Sequence, residues 1–142
     1  MEVNIDFHGA KAALFVDDQL LVYRRDNKAD IPFPNMWDLP GGGRENGESG
    51  PDCVVRETYE EFGIRVDVAK LDYVQHYENW RGGNSLRALF FVGYLSHDQV
   101  AAIVFGDEGQ HWQMMAIVEF LESDEAIPHL QERLRDYLTQ SR

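Results

Sequence analysis

Apolar positions fall in short runs over most of the chain and change to three- and four-residue spacing in two places. Residues 11–16 and 19–23 are apolar and are separated by Asp17-Asp18, which predicts two strands joined by a tight turn. Residues 26–34 are polar and carry Pro32 and Pro34, a loop. Residues 37–39 read as a brief strand stopped by Pro40, and the glycine-rich stretch 41–50 as a second loop. Pro51 suits a first helical turn, where its missing N–H costs nothing, so a helix is expected over about 51–62. Gly63 is placed to cap it in the left-handed conformation. Residues 64–75 and 86–95 predict two more strands, the second more buried, with a turn at 79–84 around Gly82-Gly83. Residues 100–105 are apolar without a clear period, 106–109 form a loop, 112–115 a last short strand and 117–121 a short helix. From Glu125 onward, Ile127, Leu130, Leu134, Tyr137 and Leu138 predict an amphipathic helix to about residue 139. The sum is a mixed α/β fold.

Length and charge narrow this picture. At 142 residues the chain is expected to form one domain over residues 1–142. Its 13 Lys and Arg against 25 Asp and Glu leave a net charge of −12. Such a surface repels a phosphate backbone, so long nucleic acid is a poor partner, whereas a small phosphorylated ligand is acceptable if a divalent cation stands between. Cys53 is the only cysteine, which excludes an internal disulfide and a thiolate zinc cluster and fits a reducing, cytoplasmic setting. The start, Met1-Glu2-Val3-Asn4, has no basic or apolar leader character, and the apolar runs are too short to cross a bilayer; no membrane partner is expected.

The predicted helix at 51–62 carries the chemistry. At about 100° per residue, Glu60 and Glu61 lie about 60° and 40° on either side of Glu57, so three carboxylates share one face. Val55, Thr58, Tyr59 and Phe62 are expected on the opposite, core-facing side. Like charges at this spacing cost an isolated helix about 0.2–0.5 kcal/mol per pair. Arg56 is one offset, and a hard cation such as Mg²⁺ or Mn²⁺ is another.

Residues 42–64 read GGRENGESGPDCVVRETYEEFGI. This resembles the signature of the Nudix hydrolases, with Gly42, Glu48, Arg56, Glu57, Glu60, Glu61, Gly63 and Ile64 all in register. Thr58 departs from it, standing where an aliphatic residue is usual. The preceding Trp37-Asp38-Leu39-Pro40-Gly41 also looks like the lead-in common in that family. The resemblance implies a Nudix-like α/β/α sandwich around a mixed central β-sheet. It implies Mg²⁺-dependent pyrophosphohydrolysis, with Mn²⁺ as a substitute, of a nucleoside diphosphate linked to another group. Compactness favours a nucleoside triphosphate giving a monophosphate and pyrophosphate. Dinucleoside polyphosphates, nucleotide sugars and ADP-ribose are alternatives, and a nucleotide-sensing module without turnover is the alternative of another class. A homodimer is compatible with the family.

By the same resemblance Glu57, Glu60 and Glu61 are metal ligands, joined by the Gly42 carbonyl. Arg56 orients the glutamates and Glu48 ties loop to helix. A distal acid is expected beyond the box, and Glu108 in the segment Gly106-Asp107-Glu108-Gly109 is the candidate. The general base is left open among Glu57, Glu61 and Glu108. Arg24, Arg25, Arg44, Arg81 and Arg87 are candidate phosphate ligands, with Arg44 nearest the box by sequence. Among the aromatics, Tyr77 and Trp80 are candidates to line the substrate pocket. The five histidines share no ligand spacing and read as incidental; Cys53 reads as buried and inert.

Overall fold

The computed structural model describes residues 6–80 and 86–140. The elements run β1 (Phe7–Val16), β2 (Gln19–Arg24), β3 (Trp37–Asp38), β4 (Gly41–Gly43), α1 (Gly50–Phe62), β5 (Leu71–Tyr77), β6 (Arg87–Tyr94), α2 (His97–Ala101), β7 (His111–Ala116), α3 (Ile117–Glu122) and α4 (Pro128–Gln140). The strands form one sheet in the order β3-β2-β1-β6-β5, with β4 added to β1 and β7 to β2. β1 and β6 pair in parallel, from Phe7 opposite Arg87 to Phe15 opposite Tyr94, and the other pairs are antiparallel. The sheet is therefore mixed.

Strand periodicity splits the core into two layers. Ala12, Leu14, Leu89 and Phe91 pack with Cys53, Val54 and Phe62 of α1. Their neighbours Ala13, Phe15, Phe90 and Val92 pack on the other face with Phe120 of α3 and Leu130 and Leu134 of α4. Because both faces of β6 are covered, it is apolar almost without interruption. The α/β/α sandwich follows.

Four local expectations change. The glycines at 41–43 form a strand rather than a loop, because β1 extends back to Phe7 and pairs with them, Gly9 opposite Gly43 and Lys11 opposite Gly41. A glycine run has no side-chain alternation to announce this. The strand expected from residue 64 begins only at Leu71. Ile64 and Val66 are buried without ladder partners, and the Asp67 side chain accepts from the Ala69 N–H to close a 3₁₀ turn at Val68–Lys70. α2 went unread. Ser96 and Gln99 close it with a capping box, too short a signal to show periodicity. The C-terminal helix begins at Pro128, after Trp37 bridges Ala126 and pins the preceding residues to the sheet. The turn expected around Gly82-Gly83, and with it Arg81, lies outside the described residues.

Candidate active site

α1 is held at both ends by its own sequence. The Ser49 hydroxyl accepts from the Asp52 N–H at 3.2 Å, and Gly63, at φ 69°, donates its N–H to the Tyr59 carbonyl. Its rotation differs from the simple face assignment. Gly50, Cys53, Val54, Thr58, Glu61 and Phe62 are buried, whereas Tyr59 is 50% exposed with the Arg65 guanidinium 5.1 Å from its ring centroid. The core side is turned toward Glu61. The carboxylate face is consequently divided: Glu61 inside, Glu57 half-covered and Glu60 outside.

Each carboxylate has a different anchor. Glu61 accepts from the Gly41 N–H at 3.0 Å. Glu57 lies against Gly42, where a β-carbon would come within 2.5 Å of Glu57 Oε1. A side chain at 42 would push the Glu57 carboxylate out of this position. Arg56 donates from Nη1 to Glu57 at 2.9 Å and Glu60 at 3.3 Å, and from Nη2 to Glu48 at 2.7 Å and the Gly43 carbonyl at 2.7 Å. Glu48 also accepts from the Glu45 N–H at 2.9 Å, so loop, helix and β4 are tied through Arg56 and Glu48. The Arg56 bonds hold the Glu48 carboxyl below its usual range. Burial acts the other way on Glu57, which is raised, and on Glu61, which is pushed up to about 8 despite nearby Lys11.

Glu57 and Glu61 open into a cleft of about 470 Å³, within the usual range for a small-ligand site. Glu108 and Asp107 line it too, carried on a loop that Gln110 pins. The Gln110 N–H bonds the Arg24 carbonyl at 2.8 Å, and its side chain bonds the Arg25 carbonyl at 2.8 Å and Asn35 at 2.7 Å. The cleft also takes in Lys11, Arg25 and Lys28. Asp38, 1% exposed, organises this cationic side. It accepts from Lys11 at 3.1 Å, Arg25 at 2.9 Å and the Tyr23 hydroxyl at 3.0 Å. Burial pushes the Asp38 carboxyl up, but Lys11 and Arg25 outweigh it and hold it below its ordinary value.

Three expected residues stand elsewhere. Glu60 does not line the cleft and is 56% exposed at its side chain, in the grip of Arg56. Arg44 is turned into its own loop, donating to the Glu48 and Gly47 carbonyls and lying 4.4 Å from the Phe7 ring centroid. Tyr77 bonds Asp136 at 2.9 Å and supports Arg133, 4.8 Å from its ring, and does not line the acidic cleft. Trp80 does line a second, adjoining cavity. Arg24 pairs with Glu125, leaving Arg25 as the candidate arginine that reaches the cleft among the described residues. Lys11 and Lys28 were missed; Lys11, a lysine inside an otherwise apolar strand, was the available signal. Cys53 is buried, its thiol donates to the Gly42 carbonyl at 3.5 Å, and burial pushes it up to about 12, far from reactive.

Among the described residues, no three acidic, histidine or cysteine side chains stand as a ready-made metal cage. Arg56 and the Gly41 N–H divide the carboxylates between them. The donor set nevertheless suits a hard cation. It is all oxygen, and a half-buried and a buried carboxylate, both raised by burial, gain by having a positive charge beside them. Mg²⁺ commonly takes only one or two carboxylates and completes its shell with water and substrate phosphate.

The model of the NUDIX domain matches residues 7–137, and the chain belongs to that family. The NAD-capped RNA hydrolase NudC of Pseudomonas aeruginosa is 40% identical over 67 residues, 47% of this chain and 23% of that protein. The nucleoside diphosphate-linked moiety X motif 6 of Mus musculus is 31% identical over 74 residues, 52% of this chain and 22% of that protein. The match thus spans less than a quarter of either relative. The fold is similar to that of a MutT protein from Methanosarcina mazei Go1, with a TM-score of 0.72, 18% identity and 99% of both chains covered. It is also similar to an Ap4A hydrolase of C. elegans in a binary complex, with a TM-score of 0.69, 18% identity, and 92% of this chain and 96% of that one covered. No helix among the described residues is long and apolar enough to cross a membrane.

Proposed function

We propose that the chain hydrolyses a phosphoanhydride bond in a small nucleoside diphosphate derivative, with a nucleoside triphosphate as the preferred substrate. The observation that carries this reading is the cleft's two-sided charge: Glu57, Glu61 and Glu108 with Lys11, Arg25 and Lys28 around one space. A polyphosphate needs both, cations for its oxygens and carboxylates for a metal and a proton. Glu57, Glu60 and Glu61 with the Gly42 carbonyl are the proposed Mg²⁺ or Mn²⁺ ligands, Glu60 from the rim. When bound, the metal neutralises phosphate charge and acidifies water. Lys11 and Arg25, fixed by Asp38, bind and orient the phosphate oxygens. One of Glu57, Glu61 and Glu108 takes the proton of the attacking water. A new P–O bond forms as the bridging P–O bond breaks, and its electron pair leaves with the departing phosphate.

The experiment is product release with Mg²⁺ across triphosphates, dinucleoside polyphosphates, ADP-ribose and nucleotide sugars, resolved by chromatography. Monophosphate and pyrophosphate from a triphosphate support the reading. Two monophosphate products from a linked diphosphate move it to the other substrates. Metal-dependent binding without turnover moves it to a sensing module. Sedimentation of the same sample tests the homodimer.

A further inference from the structure

A second cavity, of about 180 Å³, adjoins the acidic cleft and shares Lys11, Gly42 and Gly43 with it. It is bounded further by Trp80, His129, Arg133, Ala88 and Leu89. Its composition is unlike the cleft's. Trp80 and His129 stack with their planes 9° apart, and the Phe33 ring meets Trp80 edge-on at 4.9 Å. Phe33 reaches that position from a backbone φ of 50°, a conformation that a bulky side chain rarely adopts. Such strain concentrates where a site requires it. Three separate segments thus converge on one aromatic cluster beside the phosphate-binding residues.

Arg133 is the second feature. It is 5% exposed, and among the described residues no carboxylate pairs with it. Its Nη2 donates to the Glu78 carbonyl at 3.2 Å, and Tyr77, itself fixed by Asp136, lies beneath the guanidinium. A buried guanidinium without a counter-ion is costly unless strong acceptors complete it. His129, held neutral around pH 7 by burial and by Arg133, does not supply a compensating charge.

We propose that this cavity is the nucleobase site and that Arg133 reads a 6-oxopurine, the guanine or hypoxanthine type, through its two adjacent edge acceptors. The proposal rests on the phosphates lying in the acidic cleft, as the proposed function has them. The cavity adjoins the cleft through Lys11, Gly42 and Gly43, so a planar base entering it would leave the sugar and phosphates on the cleft side. A 6-oxopurine offers N7 and O6 side by side to an arginine fork, whereas adenine sets an N6 amino donor beside N7. Trp80 supplies the stacking surface, which by itself does not choose among bases.

The test is isothermal titration of GMP and AMP in EDTA, so that neither metal nor hydrolysis enters. Wild-type protein should bind GMP about tenfold tighter than AMP, within the discrimination a bidentate arginine provides. Arg133→Lys, which keeps the buried charge and loses the fork, should bring the ratio to within about twofold. Trp80→Ala, a half-exposed position that leaves the core intact, should weaken both ligands and keep the ratio. Circular dichroism checks that each variant is folded. Equal binding of GMP and AMP by wild type, or a ratio that survives Arg133→Lys, overturns the proposal. Triphosphate hydrolysis without base preference overturns it too and leaves the proposed function standing. A GMP preference in a protein that hydrolyses nothing does the reverse.

Discussion

The two charged sets of the cleft are built in opposite ways. The acidic set comes largely from one helix, which sends Glu57 and Glu61 into the cleft and leaves Glu60 exposed beside it, while Arg56 binds Glu57 and Glu60 to the loop before the helix. The cationic set is assembled from β1, the end of β2 and the loop after it, and depends on one buried carboxylate, Asp38, to hold Lys11 and Arg25 together. Local periodicity can place like charges together. Placing unlike charges opposite them at a fixed distance takes a sheet, because the residues lie far apart along the chain.

Breaking the cationic set should have the largest effect on stability. Asp38→Asn leaves Lys11 and Arg25 without their shared counter-charge in a buried setting, and should lower stability by about 3 kcal/mol; denaturant unfolding measures it. An unchanged midpoint would show that the two cations do not depend on Asp38.

Breaking the acidic set should give the opposite pattern. Glu61→Gln should cut kcat/KM by at least about 100-fold, read by product chromatography, while the metal-free protein melts no lower than wild type. The substitution removes a carboxylate whose burial is unfavourable to its charged form. Added Mg²⁺ should raise the Tm of wild type by mass action and not that of the variant. A variant with full activity would remove Glu61 from the metal site.

The acid limb sharpens the comparison. Burial lowers the His129 pKa to about 4 from 6.5. The folded state therefore binds fewer protons than the unfolded state between these values. The stability His129 contributes is complete above pH 6.5 and is lost as pH falls through about 4. Asp38, held below its ordinary 3.8, is lost at still lower pH. Glu61, raised to about 8, acts the other way and gains stability as pH falls over part of the same range. The share of His129 is therefore read from melting curves as the difference between wild type and His129→Gln, which should fall as pH goes from about 6.5 to 4. A difference that stays flat across this range would show that His129 does not contribute.

The smallest effect concerns Thr58, whose buried hydroxyl has no hydrogen-bond partner among the described residues. Thr58→Val removes that polar atom at nearly constant shape and should stabilise by up to about 1 kcal/mol, a rise of about 2–4 °C in Tm. A fall in Tm would show that the hydroxyl is satisfied.

The helix, its caps and its carboxylates were legible because each is a local rule: Pro51 at the start, Gly63 at the end, and glutamates three and four residues apart. The rotation of that helix was not legible from spacing alone. Tyr59 and Glu61 exchanged their expected environments because Gly41 and Gly42 of β4 approach α1 and turn Glu61 inward. Arg44 looked close to the metal loop by sequence, yet its own loop carbonyls consume its donors. His129 looked incidental because a histidine that stacks on a distant tryptophan has no spacing to reveal it.

By itself the sequence determined the family, the acidic helix and most strands, since these follow from periodicity and motifs within about 25 residues. Only the tertiary structure decided which carboxylates enter the cleft, which cations join them and where an aromatic pocket adjoins. Those contacts join residues distant in the chain, such as Lys11 with Asp38 and Trp80 with His129. They exist only once β1 and its neighbours have paired and α4 has closed over the sheet.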